Sequence, residues 1–380
     1  MVKKELFFLL FILLAFQGII AQNNSTDFNV GKTLKLNSVI LNQEREIQIY
    51  LPEDYQTSKE KCPVIYVFDS QKYFLNAVSY QQNLRFQEES PGFIVVGIKT
   101  KNNERRKIYN SESYKFSNYI EKELIPYINL NYKTLPNERV FFGWQRAGAF
   151  GIELLASKPN LFKGYFIASP TFLTKKRISD LEILIDNSIK LNNYLYFTLG
   201  DVETWSLDNT NSLAKLLEEK AKNKLQWKYD LFKNENHYST TIVTMNKGLK
   251  VFFKDYAPIR YYSINQFKED GNIKGLKQLF KVRGERYDIS KDIHNKTKRY
   301  LFLLAVKENN FDVFIELDNV FPNFLASFSR DIMFERFGQF YVKHRAYKKA
   351  IDYYKIGLQK FPESLRLQNR VKEISKLFKK

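Results

Sequence analysis

Cysteine is almost missing from this sequence. Cys62 is the only one among 380 residues, and the histidines number three. A disulfide framework is therefore excluded and a zinc constellation cannot be assembled, so neither a metal nor another cofactor is expected. Cys62 stands before Pro63 at the entry to an apolar run, the setting of a buried and inert thiol. Beyond the N-terminus, no stretch approaches the ~18 uninterrupted apolar residues that a membrane-spanning helix needs. Nor is there a dense basic arm or a nucleic-acid motif, although the formal net charge is +19. The lysines are scattered along the whole chain, so nucleic acid is not an expected partner.

What is present is material for a packed core. Hydrophobic residues make up 44% and aromatics 16%, which argues against wholesale disorder. The opening MVKKELFFLLFILLAFQGIIAQ has two lysines, an apolar run from Leu6 to Ile20 and the small Ala21. That run is short for a membrane span and Ala21 suits cleavage, so residues 1–21 read as a signal peptide and the mature protein as periplasmic or secreted. No cysteine follows the run, so a lipoprotein anchor is not expected.

From Asn29 to Leu51 the sequence reads as alternating strands, in VGKTLKLNSVIL and then EREIQIYLPEDY, and predicts a hairpin turning at Leu41 to Gln43. CPVIYVFD, GFIVVGIKT, RVFFG, GYFIASP and YLYFTLG are continuous apolar runs, as in strands buried on both faces. A further strand, LQWKYDLFKN, leads to His237. Between them FSNYIEKELIPYINLNY, AFGIELLASKP and NSLAKLLEEKAKNK read as helices, and TIVTMNKGLKVFFKDY closes the region as another. Strands alternating with helices predict a mostly parallel α/β sheet over residues 22–257, with the hairpin at one edge. Residues 258–380 read as all-helical. Within them, Phe334, Phe337, Gly338, Tyr341, Ala350, Tyr354 and Gly357 match a tetratricopeptide-like pattern over 331–364. One such unit cannot bury its own face, so it must pack on other helices, dock on the α/β domain or receive a protein partner.

The stretch VFFGWQRAGAFGIELL, residues 140–155, has the layout of a nucleophile elbow, in which strand turns sharply into helix. The position that presents the nucleophile carries Gln145. Acyl-enzyme chemistry needs a hydroxyl or thiol that a histidine can deprotonate, and a carboxamide offers neither a usable lone pair nor a removable proton near neutral pH. Loss of the nucleophile from such a triad costs on the order of 10⁶ in turnover.

The chain order of elbow, then LGDVETW, then ENHYST is nucleophile, acid, histidine. With PVIYVFDSQKYF, ELIPYINLNYKTLPNERVFFGWQRAGAF and NLFKGYFIASPTF, these stretches make residues 30–255 resemble the esterase family of α/β-hydrolases. That family includes enterochelin esterases and S-formylglutathione-hydrolase-like enzymes, and the attached helices resemble those of secreted Bacteroidota members. The resemblance implies an α/β-hydrolase fold followed by a small all-α domain. It places Gln145 where the serine stands, His237 as the family histidine, and Glu203 or else Asp201 as the acid. Arg146 takes the place of the residue that supplies an oxyanion-hole N–H. Trp144 replaces the elbow histidine, and Asp69-Ser70 replaces the Asp-Gly of the oxyanion loop. The chain then reads as a catalytically degenerate esterase that binds a small anionic or acyl ligand, with Arg146, Ser70 and Trp144 at the ligand. Its rivals are a hydrolase that pairs His237 with Ser70 or Ser169, and an interaction module working through its helices. Arg105 and Arg106, in the loop after the second buried strand, face either ligand or solvent.

Overall fold

The computed structural model describes residues 29–377, so the segment read as a signal peptide lies outside the described residues. Eight strands form one sheet: β1 (Lys32–Ser38), β2 (Gln43–Tyr50), β3 (Cys62–Phe68), β4 (Ile94–Ile98), β5 (Thr134–Trp144), β6 (Gly164–Ala168), β7 (Tyr194–Gly200) and β8 (Gln226–Phe232). Their spatial order is β1-β2-β4-β3-β5-β6-β7-β8. The hairpin β1–β2 lies at one edge, and β2 runs antiparallel to β4. Every pair from β4 across to β8 is parallel.

The apolar runs form strands because both faces of the sheet are covered. Tyr66, Phe68, Val96, Phe141, Ile167 and Phe197 pack into the core on one face. Their alternating neighbours Ile65, Val67, Val95, Phe142, Phe166 and Tyr196 pack into the core on the other, as the two-residue period of a strand requires. Each such side chain contributes roughly 1.5–3 kcal/mol by leaving water. Cys62 is buried at the start of β3, and burial pushes its thiol up to about 12, consistent with an inert group.

The covering helices are α1 (Ser70–Phe86), α2 (Ser113–Tyr119), α3 (Ile125–Asn131), α4 (Arg146–Ser157), α5 (Lys175–Asp186), α6 (Thr204–Lys220) and α7 (Thr240–Phe252). The single helix predicted over 116–132 is interrupted: residues 120–124 widen into a π-helical turn between α2 and α3. Two helices, α1 and α5, have no counterpart in the sequence reading. The buried residues of α1, among them Tyr73, Phe74, Ala77, Val78 and Leu84, share its length with the buried polar Ser70 and Gln81, which blurs the apolar stripe.

The C-terminal part is α8 (Ile264–Glu269), α9 (Asn272–Tyr287), α10 (Asn295–Lys307), α11 (Phe311–Val320), α12 (Asp331–Lys343), α13 (Tyr347–Lys360) and α14 (Leu365–Leu377). They enclose an aromatic-rich core of their own, with Phe302, Phe314, Phe334, Phe337 and Tyr354 fully buried. The C-terminal turn of α9 docks on the α/β domain. Arg286 donates to Glu138 Oε2 at 2.8 and 3.0 Å and to Asp255 at 2.7 Å, while the buried Tyr287 packs near Phe253.

Candidate active site

The crevice outside the carboxyl ends of the parallel strands is where an open α/β sheet binds its ligands. Here β5 ends at Trp144, α4 begins at Arg146, and the whole reversal rests on Gln145 with φ 60° and ψ −120°. A non-glycine residue held there costs of order 1–3 kcal/mol. The surroundings impose it. A Cβ on Gly143 would come within 2.7 Å of Phe141 Cε1 and 2.8 Å of the Ala147 carbonyl carbon, so only glycine lets α4 close on the strand. The backbone N–H of Gln145 donates to Ala168 O at 3.1 Å, tying the turn to β6. Its side chain makes no capping bond to α4. The first N–H groups of that helix therefore keep their positive end for the cleft.

The side chain goes to an arginine instead. Gln145 Oε1 accepts from Arg105 Nη1 at 2.7 Å. Arg105 follows β4, and its Nε (3.1 Å to each oxygen) and Nη2 (2.9 Å) fork onto the carboxylate of Asp69, the residue after β3. Asp69 is 0% exposed. Its carboxylate also accepts from the hydroxyls of Thr100 and, at 3.2 Å, Tyr109. The guanidinium lies over the Trp144 ring at 5.3 Å. Arg105 is thus held rather than solvated: half-buried, it is the centre of an Asp69–Arg105–Gln145 chain. Two charges after adjacent strands were the available signal, but only the strand order places β3 beside β4.

The histidine and the acid that the family resemblance names lie together. His237 Nδ1 lies 2.5 Å from Glu203 Oε2. Glu203 Oε1 accepts from Ser169 Oγ at 2.6 Å and from the Gly200 N–H at 2.9 Å. Glu203 is 0% exposed, whereas Asp201 faces solvent and makes no side-chain bond among the described residues, so the histidine's partner is Glu203. Burial pushes the Glu203 carboxyl up, but the hydrogen bonds from His237, Ser169 and Gly200 outweigh it and hold the group below its ordinary 4.5. A depressed carboxyl stabilises the fold above its unfolded value and loses that contribution as pH falls through its folded value. Glu203→Gln should therefore cost about 1.5–3 kcal/mol at pH 7. That gap should narrow as pH drops below 4.5, which denaturant titrations of both proteins at several pH values will check.

The two candidate serines are engaged elsewhere. Ser70, buried in the first turn of α1, donates to Gln48 Oε1 at 2.8 Å. Ser169, fully buried, bonds to Glu203 and at 2.7 Å to Thr240 Oγ1. Among the described residues, no hydroxyl or thiol is hydrogen-bonded to the His237 ring. Trp144 forms the floor: its Nε1 donates to His237 O at 2.6 Å and its ring lies 4.8 Å from the imidazole. Sequence reasoning did not single out the rim, where Trp205 (65% exposed) and Tyr238 (71%) stand against His237. Arg146 lies over the Phe172 ring at 3.4 Å. Arg106 and Arg146 have no carboxylate within ion-pair distance among the described residues. Burial, with the neighbouring Arg106, Arg105 and Arg177, lowers the affinity of Arg146 for its proton, the mark of crowded cations.

A family model described as Putative esterase matches residues 38–246. Ferri-bacillibactin esterase BesA of Bacillus subtilis is 24% identical over 145 residues, which are 36% of this chain and 50% of that protein. The chain thus spans about half the length of this curated relative. An IroE-like serine hydrolase from Shewanella oneidensis superposes with a TM-score of 0.59 at 22% identity, over 76% of this chain and 98% of its own. An uncharacterised protein from Capnocytophaga ochracea does so with a TM-score of 0.64 at 18% identity, over 90% and 99%, a span that takes in the helical part. At such identities the structural likeness is one of fold.

Proposed function

The chain belongs to the putative esterase family, and from that premise we propose that it is an esterase-fold protein that has lost ester cleavage and binds a small acyl or anionic ligand in the inherited cleft. One observation carries the reading: the elbow holds a carboxamide bonded to Arg105, while His237 and Glu203 are paired with no hydroxyl on the imidazole among the described residues. The elbow offers the imidazole no hydroxyl or thiol to deprotonate, and a covalent intermediate has no nucleophilic atom on which to form. Arg106, Arg146 and the uncapped start of α4 favour a negative ligand. Trp205 and Tyr238 supply exposed rings for its apolar part. The name of the Bacillus relative makes a siderophore or one of its acyl fragments the first ligand to test. We place the protein outside the cytoplasm on the composition of its N-terminal segment, and we propose the C-terminal helices as a seat for a protein partner.

The purified protein should remain unlabelled by a fluorophosphonate probe and should turn over p-nitrophenyl acetate no faster than its His237→Ala variant. Labelling or turnover that persists in Gln145→Ala and disappears in His237→Ala would establish a hydrolase with a different nucleophile.

A further inference from the structure

Gln145 sits where its side chain could cap α4, yet it makes no capping bond and reaches Arg105 instead. Arg105 is not free to choose its partner. Nε and Nη2 are committed to the buried Asp69, and the Trp144 and Tyr109 rings lie 5.3 and 6.0 Å from its guanidinium carbon. Nη1 is the one terminal nitrogen left over, and it points at the elbow. A donor fixed in this way costs little to order when a ligand arrives, and charge-assisted bonds from arginine are among the stronger ones. The group now facing it is planar and sp², with the shape of a carboxylate or an ester carbonyl. Serine at this position would end at its Oγ. Gln145 extends further and reaches Arg105 Nη1.

We infer that Arg105 Nη1 is the cleft's receptor for a ligand carboxylate, and that the Gln145 carboxamide is a tethered stand-in which such a ligand has to displace. This rests on the reading of the cleft as a binding site and names the group that does the binding. The displacement is a side-chain rotation, because the strained backbone at Gln145 is held by the Ala168 and Ala149 hydrogen bonds and does not need to move. The cations of Arg106 and Arg146 favour an incoming anion over the neutral amide it replaces. The ligand is therefore a small carboxylate rather than its amide or ester.

The test is calorimetric titration of the full chain with benzoate and with benzamide. Benzoate should bind the wild type weakly, and Gln145→Ala should tighten it about tenfold, as expected for a charge-assisted bond no longer contested. Gln145→Gly removes the same side chain and also relieves the backbone strain, so it should behave alike and covers the case in which alanine folds poorly. Benzamide should gain much less from either change. Arg105→Lys in the Gln145→Ala background should abolish the gain while circular dichroism shows the fold retained. Equal benzoate affinity in wild type and both elbow variants overturns the inference, as does a gain that survives Arg105→Lys. Benzoate is not an ester, so this outcome is independent of the labelling experiment. Ester turnover by the wild type would remove the non-hydrolytic reading and leave the titration standing.

Discussion

Gln145→Ser is expected to create a slow esterase, raising kcat/KM for p-nitrophenyl acetate by about 10²–10⁴ over the wild type. Loss of a triad nucleophile costs on the order of 10⁶, so the range is a partial recovery. The parts that favour it are in place. The elbow backbone already stands at φ 60° and ψ −120°, so a serine there needs no rebuilding of the turn. The imidazole is oriented by a buried carboxylate at 2.5 Å, which fixes the proton on Nδ1 and leaves Nε2 as the base. The N–H of Arg146 heads a helix whose first turn lacks a side-chain cap. Recovery should stop short of a full enzyme because Arg105 Nη1 loses its acceptor and nothing has tuned the second oxyanion donor near Ser70. Labelling of Gln145→Ser by a fluorophosphonate, and loss of both labelling and turnover in Gln145→Ser/His237→Ala, would establish the mechanism. A gain that is indifferent to His237 would mean that the serine acts alone or not at all.

Asp69→Ala should destabilise the α/β domain by about 3–5 kcal/mol, the usual cost of stripping one partner from a buried ion pair. The carboxylate answers three nitrogen contacts from Arg105 and two hydroxyls, from Thr100 and Tyr109. Without it the guanidinium remains in its pocket, only 12% exposed, with the neutral Gln145 amide as its remaining acceptor. Alanine also takes over a left-handed backbone at φ 55°, which aspartate tolerates better. Asp69→Asn keeps the shape and that backbone preference while removing the charge, so it should fall between alanine and wild type. Urea unfolding followed by tryptophan fluorescence will measure this domain alone, since Trp144, Trp205 and Trp227 all lie within it. A loss below about 1 kcal/mol for alanine would mean that water had replaced the carboxylate and that the pair is not a true buried one.

The sheet was legible because its central strands are covered on both sides and read as unbroken apolar runs. The edge hairpin was legible because one face stays in water and the pattern alternates. Helix α1 was not, since it buries Ser70 and Gln81 among its apolar residues to serve the neighbouring strands. The turn between strand and helix could be read from its small residues, and so could its centre at Gln145. Choosing between Asp201 and Glu203 required three dimensions: the turn after β7 directs one outward and brings the other under the Gly200 N–H. The Asp69–Arg105–Gln145 chain was hidden for a different reason. Its three members come from the ends of three strands, and nothing local to any one of them announces the other two.

The crowding at Gly143 has a consequence for how such a protein changes over generations. Any side chain there strikes Phe141 or the start of α4, and the strained turn at Gln145 follows directly on that contact. Selection for folding alone is enough to maintain that turn, whether or not anything is cleaved above it. The geometry of the elbow is inherited with the core, while the group displayed on it is free to drift. A sequence that keeps this core keeps a ready-made display platform, whatever side chain stands on it.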